Sequence, residues 1–242
     1  METESAARNE KIAIVSGGSG AIGSAILDAF EQTGVRAISL DLARPREKRR
    51  WIKCDIREEN SVAGAVESVY KTERRIDFVV HAAGISRDSV LWKMTVEDWD
   101  SVQAVNLRGA FLLLRHSIPL LRRGSGGRIV LIGSINGSRG KFGTTAYSAS
   151  KAGLIGLTKS VAREVGHFGI LVNVVEPGWV RTPLTEVVPQ AVKDAALAES
   201  LLGSLLEPAD VAATVLFLCG PGAARITGQI LRVDGGQYLG GC

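Results

Sequence analysis

Seven runs rich in Ile and Val punctuate the chain, KIAIVS, RAISLD, WIKCDI, IDFVVHAAG, GRIVLIGS, ILVNVVEPG and QILRVDGG, and they constrain the fold more than any other feature. A strand with one wet face alternates apolar and polar residues. These runs stay apolar at consecutive positions, which requires burial on both faces. Most are separated by stretches with helical spacing, such as SAILDAFEQTG and SVAGAVESVYKTER. Repeated strand, helix, strand succession builds parallel right-handed crossovers, which lay helices on both faces of one sheet. The pattern predicts an α/β fold with a single doubly wound, parallel, seven-stranded sheet of Rossmann-like type.

A chain of 242 residues that is 45% hydrophobic and 22% charged can fill one large core. No internal repeat, low-complexity tract or composition break marks a second core. Residues 11–242 are therefore read as one domain after a flexible tail over 1–10. The three cysteines, Cys54, Cys219 and Cys242, are odd in number and lack CxxC spacing, which argues against a disulfide framework or a structural zinc site and suits the cytoplasm. No signal-peptide pattern opens the chain, and no run approaches the roughly 20 apolar residues of a membrane span. The expected protein is soluble, cytoplasmic and free of metal. A net charge of +4 raises nucleic acid as a partner, but much of the excess sits in RPREKRR at 44–50, with no recognition motif beside it. That run is read as a solvated loop.

The connection after the first strand is SGGSGAIGSAI, Ser16 to Ile26. Gly17, Gly18, Gly20 and Gly23 let main-chain N–H groups approach a pyrophosphate, and the helix that follows turns its positive end toward it. Asp41 closes the second strand, where a carboxylate can accept hydrogen bonds from a ribose diol. Turn and acid together point to dinucleotide binding. Further on, YSASK places Tyr147 and Lys151 four residues apart, on one face of a helix, with only Ser148, Ala149 and Ser150 between. A phenol beside an ammonium is a general acid/base whose pKa is drawn down; reaching pH 7 from about 10 takes about 4 kcal/mol. Ser134, at the end of the fifth strand, stands where a substrate oxygen can be held.

On these residues the sequence resembles the short-chain dehydrogenase/reductase family over essentially its whole length. The family's TGxxxGxG turn is matched by Ser16, Gly17, Ala21 and Gly23, its NAAG by His81, Ala82, Ala83 and Gly84, its YxxxK by Tyr147 and Lys151, and its PG turn by Pro177 and Gly178. The resemblance implies a catalytic set of Asn106, Ser134, Tyr147 and Lys151, in which Asn106 holds a water that leads protons to Lys151. It also implies a coenzyme surface of Gly17, Ser19, Gly20, Ile22 and Gly23, then Asp41 and Leu42, Asp55 and Ile56 at the adenine, Ala82, Ala83 and Gly84 along the nicotinamide ribose, Tyr147 and Lys151, Pro177 and Gly178, and Val180 and Thr182 at the carboxamide. Ser16 and His81 depart from the usual Thr and Asn, and His81 is read as a hydrogen-bonded structural side chain.

The ending ITGQILRVDGGQYL is similar to the 3-oxoacyl-acyl-carrier-protein reductase branch. Against it, Ser204 stands where that branch usually carries Arg, and the short stretch from Asp41 to Trp51 leaves scant room for a helix, as in NAD-linked dihydrodiol and hydroxyacyl dehydrogenases. The leading reading is hydride transfer between NAD and a secondary alcohol or ketone. An NADPH-dependent 3-oxoacyl thioester reductase is the alternative, and a dinucleotide-binding regulatory subunit the alternative without catalysis. Asp41 repels a 2′-phosphate and favours NAD over NADP, with Arg44 and Arg46 as the counterweight. The lid is expected over 178–206, with Trp179, Val187, Val188 and Leu197 suited to a hydrocarbon portion of the substrate. Helices from Val96 to Arg122 and from Tyr147 to Val165 carry apolar residues, among them Phe111, Leu112, Leu154, Leu157 and Val161, expected to pair across two-fold axes in a homotetramer.

Overall fold

The computed structural model describes residues 10–45, 49–124 and 126–240. Most of the expected tail, Arg46 and Cys242 lie outside the described residues. The seven runs form β1 (Ile12–Ser16), β2 (Arg36–Asp41), β3 (Trp51–Lys53), β4 (Phe78–His81), β5 (Gly127–Ile132), β6 (Ile170–Pro177) and β7 (Ile230–Val233). They make one sheet in the order β3-β2-β1-β4-β5-β6-β7, and every pairing is parallel. The order reverses at β1, so the crevice above the carboxyl ends of β1 and β4 is the switch point where such sheets bind ligands.

Consecutive residues of the strands serve opposite faces, as the unbroken apolar runs require. Ile12 and Ile14 of β1 belong to one cluster with Ile38, Leu40, Ile129 and Leu131, which packs under α2 (Glu59–Glu73), α4 (Gly109–Leu121) and α6 (Thr145–Val165). Ala13 and Val15 join Val80, Val130 and Ile132 in the second cluster, beneath α1 (Ala21–Gln32) and α9 (Pro208–Cys219). Phe30 stacks on Phe78 there at 5.4 Å. Each large side chain removed from water this way contributes about 1.5–3 kcal/mol.

The stretch read as one helix from Val96 is α3 (Val96–Gln103), a π-helical segment over Ala104–Arg108, and then α4. Thr95 caps its start by accepting the Asp98 N–H. Two further helices, α7 (Pro183–Glu186) and α8 (Gln190–Glu199), fall within the segment read as a lid, and α5 (Ile135–Arg139) follows β5. The basic run is not simply solvated. Arg49 is largely buried against α1, pairing with Asp28 and donating to the Ser24 carbonyl, and Arg50 pairs with Glu73. Among the described residues, no helix is long and apolar enough to cross a membrane, and no group of His, Cys, Asp or Glu is placed to hold a metal ion. Cys54 and Cys219 are both free and buried.

Candidate active site

The glycine turn is shaped by contacts that only glycine allows. Gly17 has φ +73°, and a Cβ there would lie 2.5 Å from the Ala83 nitrogen. The turn is therefore packed directly against Ala82 and Ala83, just past the end of β4. A Cβ on Gly23 would stand 2.1 Å from the Gly17 carbonyl oxygen, whereas one on Gly20 would meet that oxygen at an ordinary 3.4 Å. Helix α1 begins at Gly20 with no side-chain cap and no acidic residue in its first turn. Its free N–H groups and positive end suit an anionic pyrophosphate. Asp41 accepts the Ser19 N–H on one carboxylate oxygen (3.0 Å) and the Ala43 N–H on the other (3.1 Å), which fixes its orientation while leaving lone pairs for a ribose diol. This cradle fits a dinucleotide: Gly17, Ser19, Gly20, Ile22 and Gly23 line its floor, and Asp41 and exposed Leu42 its wall. Arg44 is exposed.

Around the rest of the coenzyme surface, the Asp55 carboxylate pairs with Arg57 at 2.7 Å, and this hydrogen bond holds it below the usual carboxylate range. Ile56 is buried under Gly109, where a Cβ would meet it at 2.8 Å. Pro177 and Gly178 end β6, and Gly178 is pressed against Asp234 and Gln237. Val180 is buried, and Thr182 caps α7 by exchanging hydrogen bonds with Thr185.

The four residues expected to do chemistry come together from three elements. Ser134 is the N-cap of α5 and hydrogen-bonds the Tyr147 phenol, which reaches it from α6. Lys151, one turn along α6, is buried and donates to the Ile132 carbonyl at 2.7 Å, with its Nζ 5.6 Å from the centroid of the Tyr147 ring. Asn106 lies in the π-helical segment. Its side chain accepts the Ile85 N–H at 2.9 Å and donates to the Ile85 carbonyl at 3.0 Å and the Ser150 hydroxyl at 2.9 Å. The space a side chain on Gly84 would fill is bounded by Lys151 Nζ at 3.4 Å and Asn106 Oδ1 at 3.5 Å, so the AAG segment, the lysine and the asparagine face one small volume.

Burial pushes the Tyr147 phenol above its ordinary value; the Ser134 hydrogen bond pulls it down, and Asp88 pushes it up. Burial also brings Lys151 down to about 8. Removing charge from water thus raises the phenol and lowers the ammonium.

Sequence reasoning gave no active role to three other polar groups at these strand ends. Ser16 and His81 hydrogen-bond each other at 2.8 Å. Glu176, fully buried, accepts from Ser138 of α5 at 2.7 Å and from Arg232 at 3.3 Å. Their only signal was a residue type unusual for the position: Ser and His within the matched motifs, and a carboxylate inside an apolar strand.

A family model described as enoyl-(acyl carrier protein) reductase matches residues 18–237. The 3-oxoacyl-[acyl-carrier-protein] reductase FabG of Thermotoga maritima is 35% identical over 242 residues, covering 95% of this chain and 98% of the relative. The (3R)-3-hydroxyacyl-CoA dehydrogenase of Rattus norvegicus is 39% identical over 249 residues, covering 94% and 96%. Among solved structures, the aldohexose dehydrogenase of Thermoplasma acidophilum superposes with a TM-score of 0.91 at 30% identity, covering 97% of this chain and 96% of that one. The chain belongs to the short-chain dehydrogenase/reductase family. It is an oxidoreductase of that family, with 3-oxoacyl reductases among its relatives.

Proposed function

We propose that the enzyme interconverts a secondary alcohol and its ketone with NAD as the preferred coenzyme, and that the substrate is a 3-hydroxyacyl or 3-oxoacyl thioester. The observation that carries the reaction is the convergence of Ser134, Tyr147 and Lys151. When bound, the nicotinamide coenzyme supplies hydride exchange. In the direction of reduction, the Ser134 hydroxyl orients the substrate carbonyl oxygen beside the Tyr147 phenol, and Tyr147 gives up its proton to that oxygen as alkoxide character develops. Lys151 stabilises the phenolate left behind, and Asn106 anchors the path by which a proton returns. In oxidation the same proton travels back to Tyr147. A regulatory subunit without catalysis would have no use for this set.

The acyl thioester reading rests on two supports. Relatives named 3-oxoacyl-[acyl-carrier-protein] reductase, acetoacetyl-CoA reductase and (3R)-3-hydroxyacyl-CoA dehydrogenase support it. The segment 178–206 also offers apolar surface: Val187 and Leu197 are exposed, and a cavity of about 270 Å³ is lined by Trp179, Leu197 and Leu205 together with the charged Arg181, Glu186, Lys193 and Asp194. The preference for NAD rests on Asp41, whose fixed carboxylate accepts a free diol and repels a 2′-phosphate.

One experiment tests both parts. Absorbance of the reduced nicotinamide is followed with 3-oxoacyl and 3-hydroxyacyl thioesters and with simple ketones and alcohols, using both coenzymes, in wild type and Asp41→Ala. The thioesters should give the highest kcat/KM, wild type should favour NAD, and the variant should lose most of that preference. Faster turnover of simple ketones would overturn the thioester reading. A wild-type preference for NADP, or an unchanged ratio in Asp41→Ala, would remove Asp41 as the selector.

A further inference from the structure

His81 and Ser16 face each other across neighbouring strand ends, in register between β4 and β1, and both are fully buried. The His81 ring has two polar contacts. Nδ1 lies 2.8 Å from the Ser16 hydroxyl, and Nε2 lies 3.2 Å from the main-chain carbonyl oxygen of Asn106. A carbonyl only accepts, so Nε2 carries the proton; Nδ1 is then an acceptor and takes the Ser16 O–H. The two departures from the family motifs therefore form one hydrogen-bonded unit whose end is the carbonyl of the proposed relay residue. That carbonyl belongs to the π-helical turn, where the widened hydrogen-bond pattern loosens the backbone's own hold on its groups.

We propose that His81 is a positioning residue for the proton relay: Ser16 holds it as the Nε2–H tautomer, and it pins the Asn106 carbonyl and thereby the side-chain amide that spans Ile85 and Ser150 beside Lys151. The inference rests on the proposed role of Asn106 and Lys151. Burial keeps the imidazole neutral, as does Lys151, the charged group acting on it, so it orients the carbonyl without adding a charge next to the lysine. The end of β1 and the π-helical segment hold the two ends of the unit, Ser16 and Asn106, so the ring bridges the coenzyme turn and the relay.

The test uses wild type, His81→Leu, His81→Asn and Ser16→Ala. Asparagine can still donate to the Asn106 carbonyl and accept from Ser16; leucine can do neither. His81→Leu should lower kcat by about tenfold or more and raise the solvent deuterium isotope effect on kcat, while the Kd for coenzyme moves little. His81→Asn should recover most of kcat and the wild-type isotope effect. Ser16→Ala should shift kcat the same way as His81→Leu, and less than additively with it. In wild type, long-range ¹H–¹⁵N correlation should report the Nε2–H tautomer, a readout independent of turnover and of any failure of His81→Leu to fold. The proposal is overturned if the tautomer is Nδ1–H, if His81→Leu loses only thermal stability, or if His81→Asn is as impaired as leucine. Absence of oxidoreductase turnover in wild type would instead strike the underlying reading and leave the tautomer assignment standing on its own.

Discussion

Lys151 sits in a costly environment. Its ammonium is buried beside the Ile132 carbonyl, and burial lowers its pKa to about 8 from 10.5. Below about pH 8 the lysine is protonated both folded and unfolded, and the fold bears the full cost of enclosing the charge. Between about 8 and 10.5 the unfolded chain binds the extra proton, so stability rises with pH across that window. Replacing Lys151 by Met, of similar length and uncharged, removes this dependence. The Tm of Lys151→Met relative to wild type should be most favourable at pH 7 and decline steadily from pH 8 to 10. A difference independent of pH would mean that burial leaves the lysine's pKa at its unfolded value. The residue types of the candidate site were legible in the sequence because the proposed chemistry demands a phenol, an ammonium and a hydroxyl. His81 was legible only as a structural side chain, because its partners Ser16 and Asn106 are 65 and 25 residues away and meet it only through the sheet.

At the scale of elements, the turn into α1 combines close backbone approach with an open edge. Gly23→Ala would force a Cβ to 2.1 Å from the Gly17 carbonyl oxygen, a backbone atom that cannot yield without moving the turn off Ala83. Overpacking of this kind costs about 1–3 kcal/mol. Gly23→Ala should lower Tm by several degrees and weaken coenzyme binding about tenfold, whereas Gly20→Ala, with its nearest contact at 3.4 Å, should do neither. Calorimetry and coenzyme titration check both, and equal behaviour of the two variants would contradict the packing account. The strands were legible because unbroken Ile and Val runs have few alternatives. The π-helical interruption over Ala104–Arg108 was not, since its sequence AVNLR is compatible with ordinary helix and the widened turn is fixed by Asn106 reaching Ile85 and Ser150. Nor was the burial of Arg49, which depends on where the loop meets α1.

For the whole molecule, one domain over 11–242 and assembly into a homotetramer are proposals that the surface helps to judge. Of the apolar residues named for the interface, Leu112, Leu154 and Val161 face the core, and only Phe111 is substantially exposed, at 45%. What α6 presents outward is a stripe of small residues that includes Ala149, Ala152 and Gly156, and Gly156 has nothing within 4 Å of where a side chain would stand. A second copy can approach such a face closely about a two-fold axis. Light scattering should therefore report four chains for wild type and fewer for Gly156→Arg; a monomeric wild type would refute the assembly. The central claim is that Tyr147 transfers the proton that accompanies hydride exchange, and its most direct test is Tyr147→Phe, which keeps the ring and removes only the hydroxyl. Turnover, read as absorbance of the reduced nicotinamide on the best substrate, should fall by about 10²-fold or more while coenzyme still binds with near wild-type Kd. Turnover within about threefold of wild type in the purified variant would contradict the account.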